Sequence, residues 1–156
     1  MLLENSGRIN YKLLNDAYMG LVDSVGINGE FMLNWKTYSL PMDKPYLENL
    51  KWDGASPEAV QAPAFYRFEV TIDEPNDTFL NMMAWGKGQA YVNGENLGRY
   101  WSIGPQQTMY VPGVWLNKGI NEFIFFEENN PASPRVITFS DTPNLNTLGS
   151  NVKSEL

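Results

Sequence analysis

Between Trp85 and Trp115 the chain reads WGKGQAYVNGENLGRYWSIGPQQTMYVPGVW, a run dense in groups that can recognise a polyhydroxylated ligand. Trp85, Tyr100 and Trp101 offer aromatic faces that can cover the apolar C–H side of a sugar ring. Asn93, Asn96, Arg99 and Gln106 offer amide and guanidinium groups for its hydroxyls. The same residues suit a purely structural part equally well. The aromatics can fill a core, the asparagines can serve turns, and Arg99 can brace backbone carbonyls. For Trp101 the expectation is burial. Asn96 to Gly98 reads as a turn folding Arg99, Tyr100 and Trp101 back onto the protein, and burying the ring gains roughly 1.5–3 kcal/mol or more.

Hydrolytic chemistry is harder to assemble. The chain has no histidine, which removes Ser-His catalysis and the commonest general base at neutral pH. It has no cysteine, so neither a disulfide framework nor a thiolate metal site can form, and no cofactor is implied. A retaining glycosidase needs two carboxylates roughly 5 Å apart. Of the 18 Asp and Glu residues, Asp73, Glu74 and Asp77 fall in a polar turn. Glu127 and Glu128 end a strand, and Glu48, Asp53 and Glu58 fall in loop-like sequence. Each reads as a solvated surface carboxylate, so the isolated chain is expected to be catalytically silent.

The elements that would hold these residues are short strands. Gln89 to Val92 leads into Asn93-Gly94, a pair suited to the positive φ values of a two-residue hairpin. Gly20 to Ile27 and Glu30 to Trp35 flank a second such pair, Asn28-Gly29. From Phe65 to Ile72 the pattern alternates, with Tyr66, Phe68, Val70 and Ile72 on one face and Arg67, Glu69 and Thr71 on the other. Further strands are expected at Thr78 to Trp85, Thr108 to Val111, Glu122 to Glu127 and Arg135 to Ser140. Short helical turns are expected at Leu14 to Leu21, Pro57 to Gln61 and Val114 to Leu116, and long loops at Pro41 to Pro45 and Asp53 to Pro63. Turn signals roughly every eight to twelve residues favour an all-β jelly-roll sandwich of about eight strands with little helix. One domain over residues 1–141 and a loosely ordered tail over 142–156 are expected.

A length of 156 residues holds one well-packed domain and is too short for a catalytic barrel as well. The net charge of −7, with no basic stripe, excludes a nucleic-acid partner. No apolar run is long enough to span a bilayer and no leader pattern opens the chain; neither observation fixes a compartment.

The order Gly88-Gln89, Asn93-Gly94, Asn96-Leu97-Gly98-Arg99-Tyr100-Trp101, Gly104-Pro105-Gln106, Thr108, Val111-Pro112 and Trp115-Leu116 resembles the C-terminal β-sandwich of family thirty-five glycoside hydrolases, the β-galactosidases. A second block, Leu3 to Tyr11, resembles the segment that introduces that sandwich. Lys12 stands where the family usually has glycine, and Ser6 replaces a common apolar residue. The resemblance covers residues 3 to 140 and implies a galactose-binding-like fold without catalytic residues of its own. It implies packing on a catalytic barrel and other domains of a parent enzyme that hydrolyses terminal β-linked galactose. It also implies that Tyr11 borders the active-site mouth and that Arg8 and Asn10 make interdomain contacts. A self-standing carbohydrate-binding module and a structural interaction domain with no sugar contact are the alternatives.

Overall fold

The computed structural model describes residues 2–4, 20–21, 23–54, 63–129 and 136–145. The chain divides into two compact units, Met1–Leu40 and Pro41–Leu156, so the expected domain over 1–141 spans both. The expected helical turn at Pro57 to Gln61, and most of that at Leu14 to Leu21, lie outside the described residues.

In the first unit, β1 (Gly26–Ile27) pairs antiparallel with β2 (Glu30–Phe31) around Asn28-Gly29. Asn28 and Gly29 have φ of 52° and 85°, the left-handed pair that the hairpin reading requires. The strands are much shorter than Gly20 to Ile27 and Glu30 to Trp35 suggested. Every residue of this ribbon is exposed, so no buried face extends the pairing.

The second unit opens with α1 (Lys44–Glu48), where the sequence suggested only a loop. Asp43 caps it by accepting a hydrogen bond from Tyr46 N, and Pro45 in the first turn needs no amide partner. Then come β3 (Ala64–Ile72), β4 (Thr78–Asn81), β5 (Lys87–Val92), β6 (Glu95–Trp101), β7 (Thr108–Val111), β8 (Gly119–Glu127) and β9 (Phe139–Ser140). A 3₁₀ turn at Gly113–Trp115 stands close to the expected Val114 to Leu116. Two antiparallel sheets result, ordered β3-β8-β5-β6 and β7-β4-β9. The chain passes repeatedly from one sheet to the other, giving an all-β sandwich with little helix. The expected Thr78 to Trp85 strand stops at Asn81, because a turn follows in which Trp85 N donates to Met82 O.

β8 is paired on both sides, and its residues are buried from Phe123 to Glu127. Phe123 and Phe125 face the core between the sheets with Tyr66, Leu80, Met109 and Val111. Trp85 sits in this core with Phe125 and Tyr66 edge-on, at centroid distances of 4.6 and 5.5 Å. Edge-to-face packing suits the ring quadrupoles and adds about 0.5–1.5 kcal/mol per pair beyond area burial. The opposite face of the four-stranded sheet is partly covered by α1, whose Leu47 packs with Tyr91 and Ile124.

Candidate functional site

The β5–β6 hairpin carries most of the proposed site residues. Asn93 and Gly94, at φ of 51° and 84°, form its two-residue turn. The expected second turn at Asn96 to Gly98 is instead a bulge inside β6. Tyr91 lies opposite Asn96 and Ala90 opposite Gly98, leaving Leu97 as the extra residue. Gly98 takes φ of 109°, and its N–H donates to Asn96 Oδ1 at 2.7 Å.

The Asn93 side chain is occupied by the fold. Its amide donates to Trp115 O at 2.7 Å and Asn121 Oδ1 at 2.9 Å, and its oxygen accepts from Glu122 N at 3.0 Å. Fully buried Asn121 accepts from Asn117 N and donates to Asn117 O and Gly119 O. This pair clamps the hairpin turn to the start of β8, and its polar atoms are satisfied without a ligand.

Trp85 and Tyr100 are buried in the core. The Tyr100 hydroxyl lies 3.1 Å from Phe126 O and 3.2 Å from Glu127 Oε2. Burial, then the negative charge of Glu127, pushes its pKa far above the ordinary tyrosine value. Glu127 corrects the reading of a surface carboxylate, since it is fully buried. Its oxygens accept from Gly86 N, Lys87 N and Asn129 N, each at 2.9 Å. The inward period of β8 (Asn121, Phe123, Phe125, Glu127) was the sequence signal for that burial, and it was overridden by the strand-end position.

Trp101 corrects the expectation of a core ring: it is 36% exposed. It lies opposite Lys87 in the β5–β6 register, with Lys87 Nζ 5.2 Å and Arg99 Cζ 5.3 Å from its ring centroid. These cation–π contacts hold the ring at the surface beside two cations. Asn96 Nδ2 reaches Gln89 Oε1 at 3.4 Å, and the same oxygen accepts from Tyr91 OH at 2.9 Å. Burial pushes the Tyr91 pKa to about 12. Gln106 is exposed on the β6–β7 connection, bridged through its backbone to Leu145. The structure therefore brings Asn96, Arg99 and Trp101 to one outward face and sends Trp85 and Tyr100 inward. Arg8, Asn10 and Tyr11 lie outside the described residues.

One feature escaped the sequence reading. The polar turn after β3 rims a cleft of about 400 Å³ whose wall includes Phe139 of β9. Residues more than 60 positions apart meet there through sheet assembly, which no local pattern announces.

Residues 63–121, the stretch that includes the hairpin, match the family described as Beta-galactosidase, galactose-binding domain. Human beta-galactosidase-1-like protein 2 is 43% identical over 150 residues, covering 93% of this chain and 23% of the relative. The chain belongs to the β-galactosidase family, as a galactose-binding domain. The Xanthomonas manihotis β-galactosidase is 46% identical over 113 residues, 71% of this chain and 18% of that protein. Beta-galactosidase 1 of Dictyostelium discoideum is 40% identical over 134 residues, 81% of this chain and 20% of its own length. The chain thus spans under a quarter of the length of these relatives. Among its described residues no group of three or more Asp or Glu is arranged to hold a metal ion. No described helix is long and apolar enough to cross a membrane.

Proposed function

We propose that this chain is a non-catalytic domain of a larger β-galactosidase-type glycosidase, whose task is to pack on the catalytic barrel and the neighbouring domains of the parent. The observation that carries this reading is the run of bare apolar side chains in the first unit. Phe31 is 70%, Leu33 77% and Tyr38 80% exposed, with Ile27, Trp35 and Leu40 also open. Contiguous apolar surface of this kind marks an interaction site in a soluble protein. Coverage of under a quarter of the relatives' length supports a partner within the same polypeptide. The parent's substrate on this reading is a terminal β-linked galactoside. Tyr11 borders the mouth of its active site, and Arg8 and Asn10 tie the entry segment to neighbouring domains. Catalysis belongs to the barrel, so the 156-residue chain alone leaves a chromogenic β-galactoside uncleaved.

The alternative of a self-standing carbohydrate-binding module gains no support at the hairpin, where Asn93 is committed to the fold and Trp101 to Lys87 and Arg99. The test compares Phe31→Asp and Leu33→Asp in the full-length parent and in the 156-residue chain. The parent is expected to lose thermal stability and galactoside hydrolysis, while the short chain keeps its melting midpoint. A parent indifferent to both substitutions would refute the docking role.

A further inference from the structure

The connection between β3 and β4 carries a motif that neither the hairpin nor the docking role uses. Asn76-Asp77-Thr78 is the one place in the chain where an asparagine is followed two positions later by Ser or Thr. With a residue other than proline between them, that spacing is the acceptor pattern for asparagine-linked glycosylation. A tripeptide of this kind arises readily by chance, so its placement in the fold is decisive.

Residues 73–77 bridge the two strands as a surface turn, and Asn76 is exposed on it. The backbone of the turn faces inward. Gly113 N donates to Asp77 Oδ1 at 2.8 Å, and a Cβ on Gly113 would come within 2.7 Å of the Asn76 carbonyl carbon. The 3₁₀ turn therefore packs on the main chain of residues 76 and 77 and leaves the Asn76 side chain in water. Its amide is lightly held: Nδ2 donates to Glu74 O at 3.3 Å, at the long end of the hydrogen-bond range. Asn93, by contrast, spends its amide on Trp115 O and Asn121 Oδ1 at 2.7 and 2.9 Å. A glycan on Asn76 replaces one amide hydrogen and leaves the other for Glu74 O, so a bulky, hydrophilic group can be carried there without breaking the turn.

Thr78 sets the timing. In the folded sandwich it is partly buried as the first residue of β4, paired with Val111, and its hydroxyl donates to Ser140 O at 3.1 Å. A transferase that reads this hydroxyl has to meet it before β4 closes into its sheet. We propose that Asn76 is an N-glycosylation site, modified before the domain folds. Asn76 Nδ2 attacks C1 of an N-acetylglucosamine carried on a lipid pyrophosphate. The N–C1 bond forms, the C1–O bond to the pyrophosphate breaks, one amide proton is released, and the lipid pyrophosphate leaves. The finished glycan projects from the β3–β4 turn and keeps that end of the second unit in solvent within the parent. Any docking surface of the second unit then lies on its other faces.

The test is made on the full-length parent isolated from its own cells and treated with peptide-N-glycosidase in heavy-oxygen water. A glycosylated Asn76 becomes an Asp carrying the heavy oxygen, which mass spectrometry locates in the tryptic peptide of residues 68–87. The label is expected at residue 76, and an unlabelled residue 76 would overturn the site. In the same cells Asn76→Gln and Thr78→Val should lose the glycan and Thr78→Ser should keep it. Because attachment precedes folding, a variant that folds poorly still reports. Retention of the glycan in Thr78→Val would overturn the assignment. A peptide of residues 73–81 should accept an oligosaccharide from transferase and lipid-linked donor, whereas the folded parent made in bacteria should be refused. Equal modification of the two would overturn the timing.

Discussion

Replacing Glu127 by alanine should cost the sandwich a large part of its stability. The carboxylate receives three backbone amides, from Gly86, Lys87 and Asn129, and the Tyr100 hydroxyl. These four donors do not suffer alike. Asn129 is exposed and can turn to water, and Tyr100 retains Phe126 O at 3.1 Å. The Gly86 and Lys87 amides point at a fully buried position and would be left facing a void. At about 1–3 kcal/mol for each unsatisfied buried donor, the loss is about 2–6 kcal/mol before any cavity term. That is a sizeable share of the roughly 5–15 kcal/mol typical of a domain. Glu127→Gln should cost less, since one oxygen still accepts, but its new N–H donors would face other donors. Urea denaturation followed by tryptophan fluorescence, with Trp85 in the core as reporter, measures both. A loss below about 1 kcal/mol for Glu127→Ala would show that the carboxylate is not the anchor of the segment before β5.

Gly94 sits at φ of 84°, so Gly94→Val should lose about 1–3 kcal/mol to backbone strain; an unchanged denaturation midpoint would contradict the turn geometry. Asp77 has its pKa lowered from 3.8 by the Gly113 amide first and then Tyr110. Its contribution is therefore present above that pH and lost as the pH falls below it, and Asp77→Asn should flatten the acid limb of a stability profile in that window. Tyr91 is raised from 10.0 to about 12 by burial. The stability tied to its neutral form is intact below pH 10 and declines between there and about pH 12, and Tyr91→Phe should remove that part of the alkaline loss. Ultraviolet titration should find Tyr100 among the last phenols to ionise, since burial and Glu127 both oppose its charge.

The strands of the sandwich were legible where one face is buried and the other wet. Tyr66 to Ile72 alternates in the sequence and in the structure, and Asn93-Gly94 makes the turn its residue types demand. The α1 helix was missed because Pro45 was taken as a loop marker, although Asp43 before it supplies a helix cap. Trp101 was assigned to the core from the turn read at Asn96 to Gly98 and from the size of its ring, but β6 carries a bulge there instead of a turn. Its position is decided by cross-strand Lys87, a partner that only the β5–β6 register reveals. Glu127 was misjudged for the opposite reason: a charge is assumed wet unless the donors that can replace water are known, and Gly86 and Lys87 lie 41 and 40 positions away along the chain. The cleft at Phe139 was invisible because its two halves meet only through sheet assembly.

The bulge at Leu97 has a consequence beyond the hairpin. Among the described residues β6 pairs only with β5, so its outer row of amides and carbonyls is an open edge. A straight edge strand carrying Leu97, Tyr100 and Trp101 would be a template for a second copy, and stacking of copies is the route to amyloid-like fibres. The extra residue bends the strand, Gly98 at φ of 109° breaks its regular spacing, and Glu95 and Arg99 place charges along it. An incoming strand could therefore keep register over only a few residues before meeting the kink. The bulge thus protects against self-association. A variant lacking Leu97 would present a continuous edge and should aggregate more readily even if its monomer remained well folded.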